Sequence, residues 1–138
     1  MPIQVNAVTE NEFNAWMTEQ KEIKLAKDRE ASPDTVWPME ELMVRGETLY
    51  NKNCVACHQE NGMGIPGAFP ALKGSEIATH NMAKHIDIVL NGVSGTSMAA
   101  WGSQLNDLEI AAIITYERNA WDNNTGELVQ PADINAAR

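Results

Sequence analysis

The chain is short of basic residues. Lys and Arg number 10 against 19 Asp and Glu, a net charge of −9 at pH 7. That balance argues against nucleic acid and anionic membrane surfaces as partners and favours a basic protein partner. There is no run near the ~20 apolar residues that a membrane-spanning helix needs. Residues 1–30 lack the basic start and apolar stretch of a secretory leader, and carry six acids between Glu10 and Glu30 instead. Internal repeats and low-complexity tracts are absent. Cysteine is scarce as well, with two in 138 residues. The length suits one domain with an extension.

Both cysteines fall in one five-residue stretch, Cys54-Val55-Ala56-Cys57-His58. This C-x-x-C-H pattern is the attachment signal for c-type haem. Two thiols three positions apart each add to one vinyl group of the porphyrin. The following imidazole then sits beneath the ring as proximal ligand to iron. The motif consumes both cysteines, so no disulfide is available. A thioredoxin-like redox pair would need a βαβ pattern, which is not visible. A zinc site could recruit His80 and His85 to the two cysteines. However, the stretch from Cys57 to His80 is too long and too rich in Gly and Pro for a zinc finger, and zinc leaves His58 unexplained. One covalently bound haem c is the expected cofactor. It supplies a large apolar surface to a small core.

Covalent attachment of this kind takes place outside the bacterial cytoplasm, yet no export signal is visible. The expectation is a soluble piece of a longer exported or membrane-anchored protein. Along the chain, Pro2 to Val8 alternates apolar and polar residues, as a half-buried strand would. Thr9 or Asn11 can cap a following helix. Its residues Phe13, Trp16, Met17, Gln20 and Ile23 recur at helical spacing. From Glu19 to Glu30 the segment turns charged and reads as a solvated helical linker, broken at Ala31-Ser32-Pro33-Asp34.

The second part begins near Trp37-Pro38. Met39, Leu42, Met43, Gly46, Leu49 and Tyr50 share one helical face that leads into the motif. Gly46 on that face predicts another helix in close approach. Gly62 to Gly74 reads as a loop rich in turn formers. Residues 80–91 read as a helix with Met82, Ile86, Val89 and Leu90 on one face. A second loop runs from Val93 to Gly102. Asn106 to Trp121 reads as the last helix, with Asn106 and Glu109 forming a capping-box pattern. The remainder, Asp122 to Arg138, reads as a polar tail.

The far side of an iron held by His58 needs a second ligand. Candidates are Met39, Met43, Met63, Met82, Met98, His80 and His85. Methionines on helix faces are ordinarily core filling. Met63 follows too closely on His58 to cross to the opposite side, and the two histidines suit solvated or capping roles. Met98 stands in a Gly/Ser/Thr loop about forty residues after the motif. A flexible thioether there can reach across, and Met/His ligation raises the reduction potential. Met98 is the predicted ligand.

The order C-x-x-C-H, Pro70-Ala71-Leu72-Lys73-Gly74, a late loop methionine and a last helix resembles a class I cytochrome c over residues 37–121. The resemblance implies an all-α fold around one haem, with axial ligation by His58 and Met98. It also implies first and last helices crossing near Gly46 and Tyr116. The Pro70 carbonyl would accept the ring N–H of His58.

Met1-Pro2-Ile3, with Val5, Val8, Phe13 and Trp16, resembles the close of the copper-binding domain in subunit II of cytochrome c oxidase. Gly95 to Gly102, Ile113 to Asn119 and Val129 to Ala132 resemble the cytochrome c domain fused to that subunit in some bacteria. This resemblance implies residues 1–36 as the end of the copper domain plus a charged linker, and 37–138 as a mono-haem domain. Met1 would be a copper ligand only in the full-length subunit. The implied role is to pass electrons from a donor protein to the dinuclear copper centre beside subunit I, with no bond chemistry in this domain. The implied place is the periplasmic face of the inner membrane, held there through the parent subunit. A free-standing carrier, or the cytochrome domain of another respiratory or dehydrogenase complex, is the alternative.

Overall fold

Seven helices account for the regular structure of the described residues, which are 2, 3, 5–32 and 35–138 in a computed structural model. The chain divides into two units, Met1–Ser32 and Pro33–Arg138.

The first unit contains α1, Glu10–Ala31. Thr9 opens it with a reciprocal cap. The Glu12 N–H donates to the Thr9 hydroxyl at 3.4 Å, and the Thr9 N–H donates to the Glu12 carboxylate at 2.8 Å. Two otherwise orphaned donors are thereby satisfied. Phe13 and Trp16 stack with ring centres 6.0 Å apart, and both remain about half exposed. The alternating segment before Thr9 does not form a strand among the described residues. A strand's backbone groups need an adjacent strand, and the sequence offers no second one.

The second unit is built around α6, Asp107–Asn119. Asn106 caps it with Glu109 as the pattern predicts. Leu108, Ile110 to Thr115, Glu117 and Arg118 are all buried, so this helix is covered on every side. Its neighbours are α2 (Met39–Asn53), α4 (Glu76–His80), α5 (Met82–Asn91) and α7 (Pro131–Ala137). The short α3, Val55–His58, continues α2 after a break at Cys54.

The crossing of α2 and α6 depends on Gly46. A β-carbon there would lie 2.1 Å from the Ala112 carbonyl oxygen and 2.6 Å from Tyr116 Cβ, so only hydrogen fits. Leu42 and Tyr50, on the same face, are fully buried. Each such side chain contributes about 1.5–3 kcal/mol relative to exposure. Tyr50, Tyr116 and Trp121 pack as an aromatic trio with ring centres 4.9 to 5.5 Å apart.

Three further sequence expectations need correction. Residues 80–91 are not one helix: α4 ends at His80, and Asn81 starts α5 by accepting the Lys84 N–H. An Asn side chain competes with the helical backbone and favours a cap over an interior position. The last periodic helix stops at Asn119, and Trp121 turns away at φ 54° to join the aromatic trio. The polar tail is part of the core. Pro131 occupies the first turn of α7, and Val129 and Ile134 are fully buried against Ile110 and Ile114. Gln130 also clasps the start of the unit. Its side-chain oxygen accepts the Trp37 N–H at 2.8 Å, and its amide donates to the Trp37 carbonyl at 2.9 Å.

Candidate haem site

The geometry of α3 follows from hydrogen bonds at both of its ends. Cys57 and His58 donate their N–H groups back to the Cys54 carbonyl, at 3.1 and 3.0 Å. The two thiols and the imidazole thus share a single turn. Gln59 then leaves at φ 64°, ψ 159°, where a residue with a side chain is strained. Tyr50 helps to hold it there, since its hydroxyl donates to the Gln59 carbonyl at 2.7 Å.

The loop after α3 folds back on the motif. Gly64 donates to the His58 carbonyl at 2.9 Å, and Leu72 donates to the Gly62 carbonyl at 2.7 Å. Gly64, at φ 62°, has no room for a side chain, because a β-carbon would meet the Phe69 and Pro70 oxygens at 2.3 and 2.5 Å. This packing delivers the Pro70 carbonyl oxygen to 3.0 Å from Nδ1 of His58. A carbonyl only accepts, so Nδ1 carries the hydrogen. Nε2 is left with a lone pair.

The second loop is tied to the end of α5. Trp101 donates to Val89 O and Gly102 to Leu90 O, each at 3.0 Å, while Val93 donates to Met98 O at 3.0 Å. Met98 is half buried and packs against the cluster formed by Ile86, Val89 and Leu90.

The two loops and helices enclose a cavity of about 680 Å³, which Cys54, Cys57, His58, Pro70 and Met98 all line. Leu72, Ile77, Ile88, Val89 and Ile113 supply much of its apolar wall. A volume of this size suits a cofactor. Burial, followed by the charges of Glu117 and Cys57, pushes the Cys54 thiol well above its usual range.

The other candidates do not gather here. Met39, Met43 and Met82 are half buried on helices, and Met63 is exposed. His80 is exposed and lies 2.6 Å from the Thr79 hydroxyl. His85 lines the cavity but bonds to Glu117, its Nε2 lying 2.7 Å from Oε2. Among the described residues no three His, Cys, Asp or Glu side chains converge as ligands of a metal ion. Met1 lies outside the described residues.

Sequence reasoning passed over Glu117 and Arg118, both buried. The Arg118 guanidinium donates to the carbonyls of Ala78 and Thr79 and to Glu127, tying α4 to α6. Helical phase was an available signal for the buried pair. Glu117 falls three and four residues after Ile114 and Ile113, and His85 three residues after Met82, each on an apolar face.

The donor set fits haem c: two thiols and an imidazole on one turn, a thioether from another loop, and an apolar cavity between them. Helical fold and site together define a small class I cytochrome c-like domain with covalently bound haem c. More particularly, the chain belongs to the family described as cytochrome c oxidase, cbb3-type, subunit III, whose profile matches residues 41–116.

Its relatives are cytochromes in several settings. It is 37% identical over 89 residues to cytochrome c-552 of Thermus thermophilus, covering 55% of this chain and 67% of that one. It is 33% identical over 81 residues to the cbb3-type cytochrome c oxidase subunit CcoP of Azospirillum brasilense, covering 54% of this chain and 27% of that protein. It is 27% identical over 105 residues to the cytochrome c subunit of a quinone alcohol dehydrogenase from Gluconacetobacter polyoxogenes, covering 69% and 22%. The chain thus spans about a fifth of the length of that dehydrogenase subunit.

Proposed function

We propose that this domain carries electrons within a respiratory cytochrome c oxidase, taking them from a donor protein and passing them to the dinuclear copper centre of subunit II. In this reading Cys54 and Cys57 would form the thioethers, and His58 and Met98 would ligate the iron. The domain works on the periplasmic side of the inner membrane, held there by its parent subunit. The observation that carries the reading is the convergence of Cys54, Cys57, His58 and Met98 on one apolar cavity. When bound, haem c supplies a one-electron ferric–ferrous couple there.

The chain's own groups do the rest. The Pro70 carbonyl orients the His58 ring and sets its tautomer. The loop bonds to Val89, Leu90 and Val93 hold Met98 at the cavity wall. Held by these bonds, His58 and Met98 would move little as charge changes. The acidic chain favours a basic donor.

The test is stopped-flow mixing of the reduced, haem-loaded chain with a soluble subunit II copper domain. Fast one-electron oxidation at low salt supports the reading. No transfer, with fast exchange to a small soluble cytochrome, moves the assignment to a free-standing carrier. The match to 67% of cytochrome c-552 favours that second reading. Ready carbon monoxide binding by the reduced native chain at neutral pH would remove Met98 as ligand.

A further inference from the structure

His85 and Glu117 make an unusual feature of the cavity wall. They come from different helices, α5 and α6, and both side chains are 4% exposed. Their contact, 2.7 Å from Nε2 to Oε2, satisfies one nitrogen of the imidazole. The other, Nδ1, is buried without a hydrogen-bond partner. Both residues line the cavity that also holds Cys54, His58 and Met98. A buried ion pair is poor evidence for stability, because desolvation offsets most of its attraction. An imidazole with one open nitrogen at a redox site has another use.

We infer that His85 and Glu117 form a proton-binding site coupled to electron transfer, taking up one proton from solvent as an electron enters the cavity and releasing it as the electron leaves. This rests on the electron-transfer reading above. In the deprotonated state Nε2–H donates to the carboxylate, Nδ1 holds a lone pair, and the pair carries charge −1. In the protonated state both nitrogens carry hydrogen and the pair is neutral. The oxidised site has one positive charge more than the reduced site, so it favours the deprotonated pair. Reduction removes that charge and draws the proton in. Charge balances in each direction: one electron from the donor and one proton from water enter together, and both leave together.

The surroundings make the pair responsive. Glu117 acts on Tyr50 of α2 and on Cys54 just after it, where its charge helps to raise both, after burial as the main cause. Its field therefore reaches one of the two thioether positions. On α6 itself, Tyr116 is raised mainly by burial, and the Arg118 cation is turned away to Ala78, Thr79 and Glu127. On α5, Lys84 is paired with Asp87 at 2.7 Å. On α4, His80 bonds to Thr79. On α7, Asp133 is occupied in accepting the Gln130 N–H. No cation among these bonds to Glu117, which leaves the His85 imidazole as the bonded group able to take up a proton beside it.

The experiment is a spectroelectrochemical titration of the haem-loaded full chain across about pH 5 to 9, the range in which histidine titrates. Glu117→Gln and His85→Asn are measured beside it, with ¹⁵N NMR of the imidazoles in both oxidation states. The expected potential of the native chain falls as pH rises. The equilibrium constant for reduction then changes by up to tenfold per pH unit, about 59 mV for one electron. Glu117→Gln raises the potential and flattens the slope, and the His85 nitrogens report different protonation in the two oxidation states. A flat native titration, or the native slope retained in both variants, overturns the inference. So does an unchanged His85 protonation state in NMR of the native chain, which decides the matter even where a variant fails to fold. Absence of any reversible one-electron couple overturns the electron-transfer reading instead.

Discussion

The Pro70 carbonyl oxygen stands 3.0 Å from Nδ1 of His58, and Gly64 is the reason it can. The loop turns so tightly at Gly64 that a single methyl group would collide with the oxygen of Pro70 itself. The orientation of the His58 imidazole is therefore set by a glycine six residues further along the chain.

Gly64→Ala should displace the Pro70 carbonyl and weaken its bond to His58. The strained φ adds about 1–3 kcal/mol to the cost. A proximal ring that loses this acceptor is a weaker donor to iron, so the reduction potential should rise. Redox titration and the NMR signal of the His58 Nδ1 proton check this. An unchanged proton signal and potential would show that the loop absorbs the methyl elsewhere.

Met98→Ala should lower the reduction potential and open one side of the iron, since a thioether ligand raises the potential. Carbon monoxide binding and the visible spectrum of the reduced chain provide the measurement. A variant that keeps the native spectrum and potential has another residue as its ligand.

At the helix crossing, Gly46→Ala forces a β-carbon against the Ala112 carbonyl. Overpacking of this kind costs about 1–3 kcal/mol, and more where backbone must move. Chemical denaturation of the haem-loaded chain should show a lower midpoint with an unchanged slope. A neutral result would mean that α2 and α6 separate without loss.

Gln130→Ala removes both hydrogen bonds to Trp37. At about 0.5–1.5 kcal/mol for each bond, the loss should total about 1–3 kcal/mol. Amide hydrogen exchange at Trp37 should accelerate while α6 stays protected. Slow exchange at Trp37 in the variant would show that its burial alone holds the segment.

For α1 the expected response is to acid. The Thr9 N–H, and then its hydroxyl, hold the Glu12 carboxyl below its usual value of 4.5. A carboxyl lowered in the folded state contributes stability above its ordinary value, and loses it as pH falls through the lowered one. Helicity of residues 10–31, followed by NMR, should therefore decline below about pH 4.5; Glu12→Gln should remove that dependence, and Thr9→Ala, which keeps the backbone N–H, only the smaller part due to the hydroxyl. A pH-independent α1 would mean that the cap adds nothing in solution.

Local chemistry accounts for most of what was legible in the chain. The spacing of Cys54, Cys57 and His58 is a covalent requirement of the cofactor, and caps such as Asn106 with Glu109 act within one turn. Gly46 stood out because a glycine on an apolar helical face has a cost that only close packing offsets. The same local logic misread Asn81 as a helix interior and Trp121 as the end of a helical face. The cap at Asn81 was a local signal, but the aromatic trio is not visible without knowing what lies nearby.

By itself, then, the sequence determined the cofactor and the helical class, because each follows from residues within a few positions of one another. Tertiary structure alone decided the rest. It carried Val129 and Ile134 from an apparently polar tail into the core, and it set Gln130 against Trp37, 93 residues away. It also placed His85 against Glu117 across 32 residues. Such pairings arise when burial of apolar faces fixes where helices meet, and the polar groups caught between them must then find their partners there.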